Sequence, residues 1–441
     1  MTLKEPIDSA ESKPQAPARG PMPTGGAASD LSMVQAGAMR ASWLVVLTGV
    51  LAAMHVGKLS PALPQISHDL DISWVQSGFL MSLVQLAGMC FGLVLGISCE
   101  WLGLRRCLWV GQGVLALASA AGTLFSEVNT LLMLRGIEGI GYFLVALSGP
   151  GLLRQLLPPR RLHAMLGVWG AFMPLGVALA LLMVPWLMQW EGWRAVWCVL
   201  SCLSVLMAGL ILLLMPPVHT QGKPNAVRRD WRGQIKTSVS TPGAWVLGLT
   251  FASFSGPWVA GIGFLPSIYV MGQLSMGHAG TLTALVVAVN ILGNLAAGQM
   301  LQKGVAADRV IRWAFLGMGI GAWFAFGIHA DQHWNLSYAG ALLFSACGGL
   351  IPATVFSQIV KISPDPSAIS TTQGLIQQCN ALGQFAGPPV MGWVASHWGG
   401  WQATGVGMVL ICMGGIVLSF TLRHLMNQTT PANLIKPMAT A

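Results

Sequence analysis

The sequence predicts an all-α integral membrane protein with twelve transmembrane helices in two pseudo-symmetric six-helix bundles. Three observations carry that prediction. The chain is nearly devoid of charge, it contains twelve long apolar runs, and its second half repeats its first.

Charge comes first. Of 441 residues, 54% are hydrophobic and 8% are charged, against roughly 25% charged in an ordinary soluble protein. So little charge leaves no polar surface for water, and a lipid environment follows. The net charge is +9. Its distribution, taken up below, accounts for it without nucleic acid as a partner. The eight cysteines form no CxxC pair and no Cys/His cluster at metal spacing, so neither a metal nor another cofactor is expected.

The apolar runs come second. A bilayer core of about 30 Å needs about 20 apolar residues per helix. Spans are expected near 42–65, 73–98, 107–126, 129–152, 164–188, 195–215, 243–270, 277–302, 310–329, 336–360, 367–393 and 403–423. Residues 1–41, rich in Pro, Ala, Gly and Ser, read as a disordered cytosolic tail. They hold no short apolar core with a cleavage site, which argues against a signal peptide. Residues 216–242, with Arg228, Arg229, Arg232 and Lys236, read as a cytosolic linker between bundles 42–215 and 243–424. Residues 425–441 read as a second cytosolic tail. Lys58 and Arg135 fall inside spans and Arg194 falls between spans five and six. The other Lys and Arg residues lie in the tails, in the loops of one side, or, for Arg312 and Arg423, at the ends of spans nine and twelve on that same side. The positive-inside rule makes that side cytosolic, with both termini there. Anionic headgroups of the bilayer then meet the basic charge.

The repeat comes third. "LPQI" at 63–66 returns as "LPSI" at 265–268, Gly78 as Gly280, and Gly96 as Gly298, all 202 residues on. "GWRA" at 192–195 returns as "GWQA" at 400–403. Two halves of six spans each keep one orientation and make a parallel repeat. In proteins built this way a substrate site is expected near the midplane between the halves.

"GISCEWLGLRR" at 96–106 closes the second span with a polar cluster. Gly96, Glu100, Gly103, Arg105 and Arg106 resemble the loop signature of the major facilitator superfamily between its second and third helices. Glu100 stands where that family usually has Asp, and Trp101 where a basic residue is common. "RGIEG" at 135–139 and "GWRAVW" at 192–197 support the resemblance, which covers residues 42 to about 424. It implies the twelve-helix fold of that family, a transport function, and a cytosolic latch made by these five residues. The stretch 241–270 is similar to the entry of helix seven in the cyanate and nitroimidazole transporter branch, which moves small compounds, often anions.

Lys58, Arg135 and Glu138 lie inside spans, where each charge costs roughly 2.5–3.5 kcal/mol on insertion scales and marks a functional candidate. Lys58 sits seven residues from the outer end of span one, and Arg135 sits six from that of span four. Both are therefore roughly 10 Å deep. His55 and Glu138 lie one turn deeper. One reading is a cationic pocket for an anion, with Glu138 or His55 carrying a proton. In the other, Arg135 and Glu138 neutralise each other at i,i+3, Lys58 snorkels to the headgroups, and His55 packs neutrally. The two basic residues would repel unless a counter-ion or Glu138 sits between them.

Gln373, Gln377, Asn380 and Gln384 fall on one face of span eleven, and Asn290 and Asn294 fall one turn apart on span eight. These amides, with Tyr142 and Trp258, are the expected lining of the substrate cavity. Interhelical bonding, worth about 0.6 kcal/mol on average, is the other role open to them. The chain has no P-loop, no paired catalytic carboxylates and no nucleophile with a base, so no enzymatic site is expected. The expectation is a monomeric secondary transporter of the cytoplasmic (inner) membrane. It moves a small anionic solute by alternating access and proton symport. The alternative is proton-driven efflux of amphipathic drugs or metabolites.

Overall fold

A computed structural model describes residues 25–215, 231–328, 334–363 and 369–429. All regular structure among them is helical. The first half contains α1 (Gly25–Gly57), α2 (Leu59–Leu70), α3 (Trp74–Ser82), a 3₁₀ turn (Leu83–Gln85), α4 (Leu86–Leu102), α5 (Leu104–Leu124), α6 (Val128–Leu156), α7 (Pro159–Gly170) and α8 (Phe172–Leu214). The second contains α9 (Trp231–Val239), α10 (Pro242–Met271), α11 (Met276–Gln302), α12 (Ala307–Phe326), α13 (Trp334–Gly348), α14 (Leu350–Ile362), α15 (Ile369–His397) and α16 (Trp401–Thr429).

Nine segments among the described residues are long and apolar enough to cross a membrane. The longest of them, α8, holds two helices that meet at a break at Glu191 and Gly192. Counting its two parts separately and adding α12 and α15, of 20 and 29 residues, gives a number consistent with the twelve spans expected. Several crossings are jointed. α1 and α2 form one crossing with a joint at Lys58, and the 3₁₀ turn divides α3 from α4 in the second. A short 3₁₀ stretch inside a helix is a frequent site of bending.

Three boundaries differ from those expected. α1 begins at Gly25, so residues 25–41, assigned to a disordered tail, are helical. Within 216–242, Trp231–Val239 is a helix, and α10 already starts at Pro242. α16 runs on to Thr429. Residues 1–24, 216–230 and 430–441 lie outside the described residues.

The repeat returns in the backbone. Asp71 after α2 has φ 48° and Gln273 after α10 has φ 68°. Positive φ is uncommon for residues other than glycine, and here it recurs 202 residues on. Two residues past each turn a serine caps the next helix. Ser73 Oγ accepts from the Gln76 N–H, and Ser275 Oγ accepts from the His278 N–H. Gly192 and Gly400, the glycines of the two "GW" turns, have φ 64° and 75°.

The surface is that of a protein in lipid. Leu117, Leu124 and Leu213 are 74%, 79% and 82% exposed, an apolar display that water would penalise. Polar side chains turn inward: His55, Lys58, Arg135 and Glu138 are all buried.

The halves close tightly at the end remote from the termini. Trp74 of α3 meets Trp401 of α16 edge-on at 5.2 Å, and Phe264 of α10 lies 6.0 Å and 5.0 Å from these two rings. Ser60 Oγ donates to the Gly263 carbonyl at 2.8 Å. Close approach depends on glycine. A Cβ on Gly78 would stand 2.6 Å from Pro389 N, and one on Gly280 would stand 2.5 Å from the Leu181 carbonyl oxygen. Nearer the other end, Gln378 Nε2 of α15 reaches the Met89 carbonyl at 3.4 Å.

Candidate functional site

The charged residues expected on spans one and four meet inside the first half. His55 and Lys58 come from the α1–α2 joint, and Arg135 and Glu138 from one turn of α6. Glu138 sits between the two cations. Its Oε1 is 2.5 Å from Lys58 Nζ, and its Oε2 accepts from Arg135 Nη1. Lys58 Nζ also donates to Ser119 Oγ of α5 at 2.9 Å, lies 3.5 Å from His55 Nδ1, and stands 4.2 Å over the Trp197 ring of α8. His55 Nε2 is 2.9 Å from Ser204 Oγ. Arg135 extends Nε to the Leu80 carbonyl at 3.0 Å and Nη1 to that of His55 at 2.9 Å.

Charges taken out of water need good geometry and saturated hydrogen bonding to offset desolvation. Most of the donors here meet that demand. Arg135 Nη2 is the exception, buried and without a hydrogen-bond partner. Arg135 and Glu138 line a void of about 10 Å³, with Leu59, Leu80, Trp193 and Trp197 among its walls. That is near the smallest space that holds one water. The matched depth of the two basic residues was legible in the sequence. Lys58, however, turns toward α5 and α8 within its own half, neither snorkelling nor facing the second half. Ser119, Ser204 and Trp197 complete the network and carried no signal beyond Trp197's place in "GWRAVW".

A second polar group lies on α15. Half-buried Gln373, Gln377, Asn380 and Gln384 share one face, and exposed Leu382, Ala386 and Trp393 share another. At 100° per residue the two faces stand roughly 170° apart. Of the flanks between them, one packs on α3 and α4 through Pro389 and Gln378, and the other packs on α10 through Gly383 and Gly387. The amides therefore lie on the side of α15 opposite its exposed face. They form a ladder, with Asn380 Nδ2 to Gln377 Oε1 at 3.4 Å and Gln384 Nε2 to Asn380 Oδ1 at 3.3 Å. Gln384 Oε1 is buried without a partner.

The remaining candidates are fastened elsewhere. Asn290 Nδ2 donates to the Ser345 carbonyl of α13 at 2.9 Å, and Trp258 Nε1 donates to Ser345 Oγ at 3.2 Å. Asn294 Nδ2 donates back to Asn290 Oδ1 at 3.1 Å. Tyr142 is buried with its hydroxyl 3.5 Å from Met173 Sδ. The structure thus brings the candidates into separate groups: a charge network in the first half, an amide ladder on α15, a knot around Ser345, and Tyr142 against Met173.

At the end of α4, Gly103 makes the turn with φ 87°. Arg105 Nη2 donates to the Leu212 carbonyl at 2.8 Å in the last turn of α8, where a cation complements the helix dipole. Arg106 is exposed. The Glu100 side chain and the surroundings of Gly96 lie outside the described residues. No group of three or more His, Cys, Asp or Glu among the described residues could hold a metal ion.

The sequence model of the Major Facilitator Superfamily matches residues 45–303 and 258–438. The chain is 30% identical over 178 residues to the tetracenomycin C resistance and export protein of Streptomyces glaucescens, covering 38% of this chain and 32% of that one. It is 24% identical over 272 residues to the cyanate transport protein CynX of Escherichia coli, covering 60% of this chain and 66% of that one. The matches thus span from about a third to two thirds of these relatives' lengths. Among solved structures, a bacterial homologue of the human lysosomal transporter Spinster, inward-facing and unoccupied, superposes with a TM-score of 0.74 at 14% identity. That superposition covers 90% of this chain and 99% of the other. It shows a shared fold.

Proposed function

The chain belongs to the Major Facilitator Superfamily, and from that premise we propose that it is a monomeric secondary transporter carrying a small anionic solute inward by proton symport. The halves rock about the crevice between them, with Gln373, Gln377 and Asn380 as polar contacts to the solute. Both termini face the cytosol of the inner membrane, in keeping with the basic loops.

The observation that carries this reading is the position of Glu138 between Lys58 and Arg135. A proton on that carboxylate would leave two cations without a counter-charge, and an anion would then bind more readily. Proton and anion favour each other's binding in such a site, and that is the thermodynamic requirement of symport. Similarity to a cyanate transport protein agrees with a small anion as cargo. The test is uptake of cyanate and small carboxylates into proteoliposomes under an imposed pH gradient. Concentrative uptake that collapses when the gradient is dissipated supports the reading, and gradient-independent equilibration counts against it.

A second reading is proton-driven efflux of amphipathic compounds. Similarity to an antibiotic resistance and export protein favours it. It requires proton-driven movement of hydrophobic compounds and a dispensable Arg135.

A further inference from the structure

On the lipid-facing side of the second half, α12 and α16 leave an apolar groove of about 390 Å³. That is within the range of small-molecule sites, roughly 300–1,000 Å³. Phe315, Gly319 and Trp323 line it from α12, and Val409, Met413 and Ile416 from α16. Gly319 helps to shape it. A Cβ there would make only ordinary contact with Cys412, at 3.5 Å, so a longer side chain would extend into the groove.

The groove has a cationic end. Arg309 and Arg312 continue the face of α12 formed by Leu316, Gly319 and Trp323, at spacings of 3 and 4. Phe420 and Arg423 continue that of α16 in the same direction. Arg312 is held at the lip, paired to Asp308 at 2.5 Å and 4.5 Å over the Phe420 ring. Arg309 and Arg423 are exposed. Three guanidinium groups against one carboxylate leave this end positive, and it is the end of the bundle that carries both termini. From Arg312, the stretch Phe315–Phe324 covers depths of roughly 4–18 Å. One leaflet of a 30 Å core is roughly 15 Å deep.

We propose that this groove is a binding site for one anionic phospholipid, an acyl chain lying between α12 and α16 and the phosphate resting on Arg309, Arg312 and Arg423. Charge selects the headgroup, and the groove holds the chain against exchange with bulk lipid. The site lies on the outer face of the second half, away from the crevice and the charge network, and does not depend on the transported solute.

Native mass spectrometry of the full chain in mixed micelles tests this, with phosphatidylglycerol and phosphatidylcholine at equal concentration. The wild type should retain phosphatidylglycerol over phosphatidylcholine by about tenfold or more. Arg309→Ala with Arg423→Ala should abolish the preference, and Gly319→Leu should remove the retained lipid of either kind. Equal retention of both lipids by the wild type, or an unchanged preference in the arginine double variant, overturns the proposal. So does a dimer that Gly319→Leu converts to a monomer, because a second copy would then fill the groove. The arginine variant decides alone if Gly319→Leu fails to fold.

Discussion

Lys58 and Glu138, 80 residues apart in the chain, meet with Nζ 2.5 Å from Oε1 at the buried centre of the first half. Arg135 holds the other carboxylate oxygen. One acid thus stands between two bases, all three buried.

Glu138→Gln should remove concentrative uptake while leaving the fold strained. It leaves two buried cations without a counter-charge, and breaking a buried ion pair costs about 3–5 kcal/mol. A lowered melting temperature is expected, partly restored by adding Lys58→Met. If Glu138→Gln retains pH-dependent concentrative transport, the proton is carried elsewhere.

Arg135→Lys should fail nearly as fully as Arg135→Ala. The guanidinium reaches the Leu80 carbonyl, the His55 carbonyl and Glu138 together, and a single ammonium lacks that planar fork. Uptake of the anion should drop at least about tenfold, a loss of roughly 1.4 kcal/mol. Unchanged uptake in Arg135→Ala would remove the cationic site from the mechanism.

The rings of Trp74 and Trp401 close one end of the interface between the halves. Cysteines at both positions, joined by a short bifunctional maleimide, should arrest transport. Either single cysteine with the same reagent should leave it running. A cross-linked protein that transports at the normal rate would mean that this end does not open during the cycle.

The amide ladder of α15 separates binding from packing. Gln377→Ala should raise KM with a change in stability below about 1 kcal/mol. Leu382→Ala, on the opposite face, should leave KM unaltered. A KM that does not respond to Gln377→Ala assigns the ladder to packing.

Gly78→Leu should destabilise the closed end. Its Cβ would already press on the backbone of Pro388 and Pro389, so the halves must separate there. Labelling of a cysteine placed at Ser60 should rise in that variant. Unchanged labelling would show that the contact at Gly78 is not part of the seal.

What the sequence by itself determined is the class and its symmetry. Lipid demands long apolar helices with satisfied backbones, and that demand is written into every span. The recurrence of Gly78 at Gly280 and of "GW" at 400 likewise marked the repeat, which the backbone carries at Asp71 and Gln273 and at Gly192 and Gly400. It also placed Arg135 and Lys58 at one depth, because depth along a helix is a count of residues. Only the tertiary structure decided where those side chains turn. Lys58 faces Ser119 and Trp197 inside its own half, while the α15 amides lie opposite the exposed face of their own helix. Azimuth depends on which neighbouring helix occupies each side, and that is set by packing between segments far apart in the chain. Helix 25–41 escaped the reading because its Ala, Gly and Ser composition lacks the apolar periodicity that marks a span.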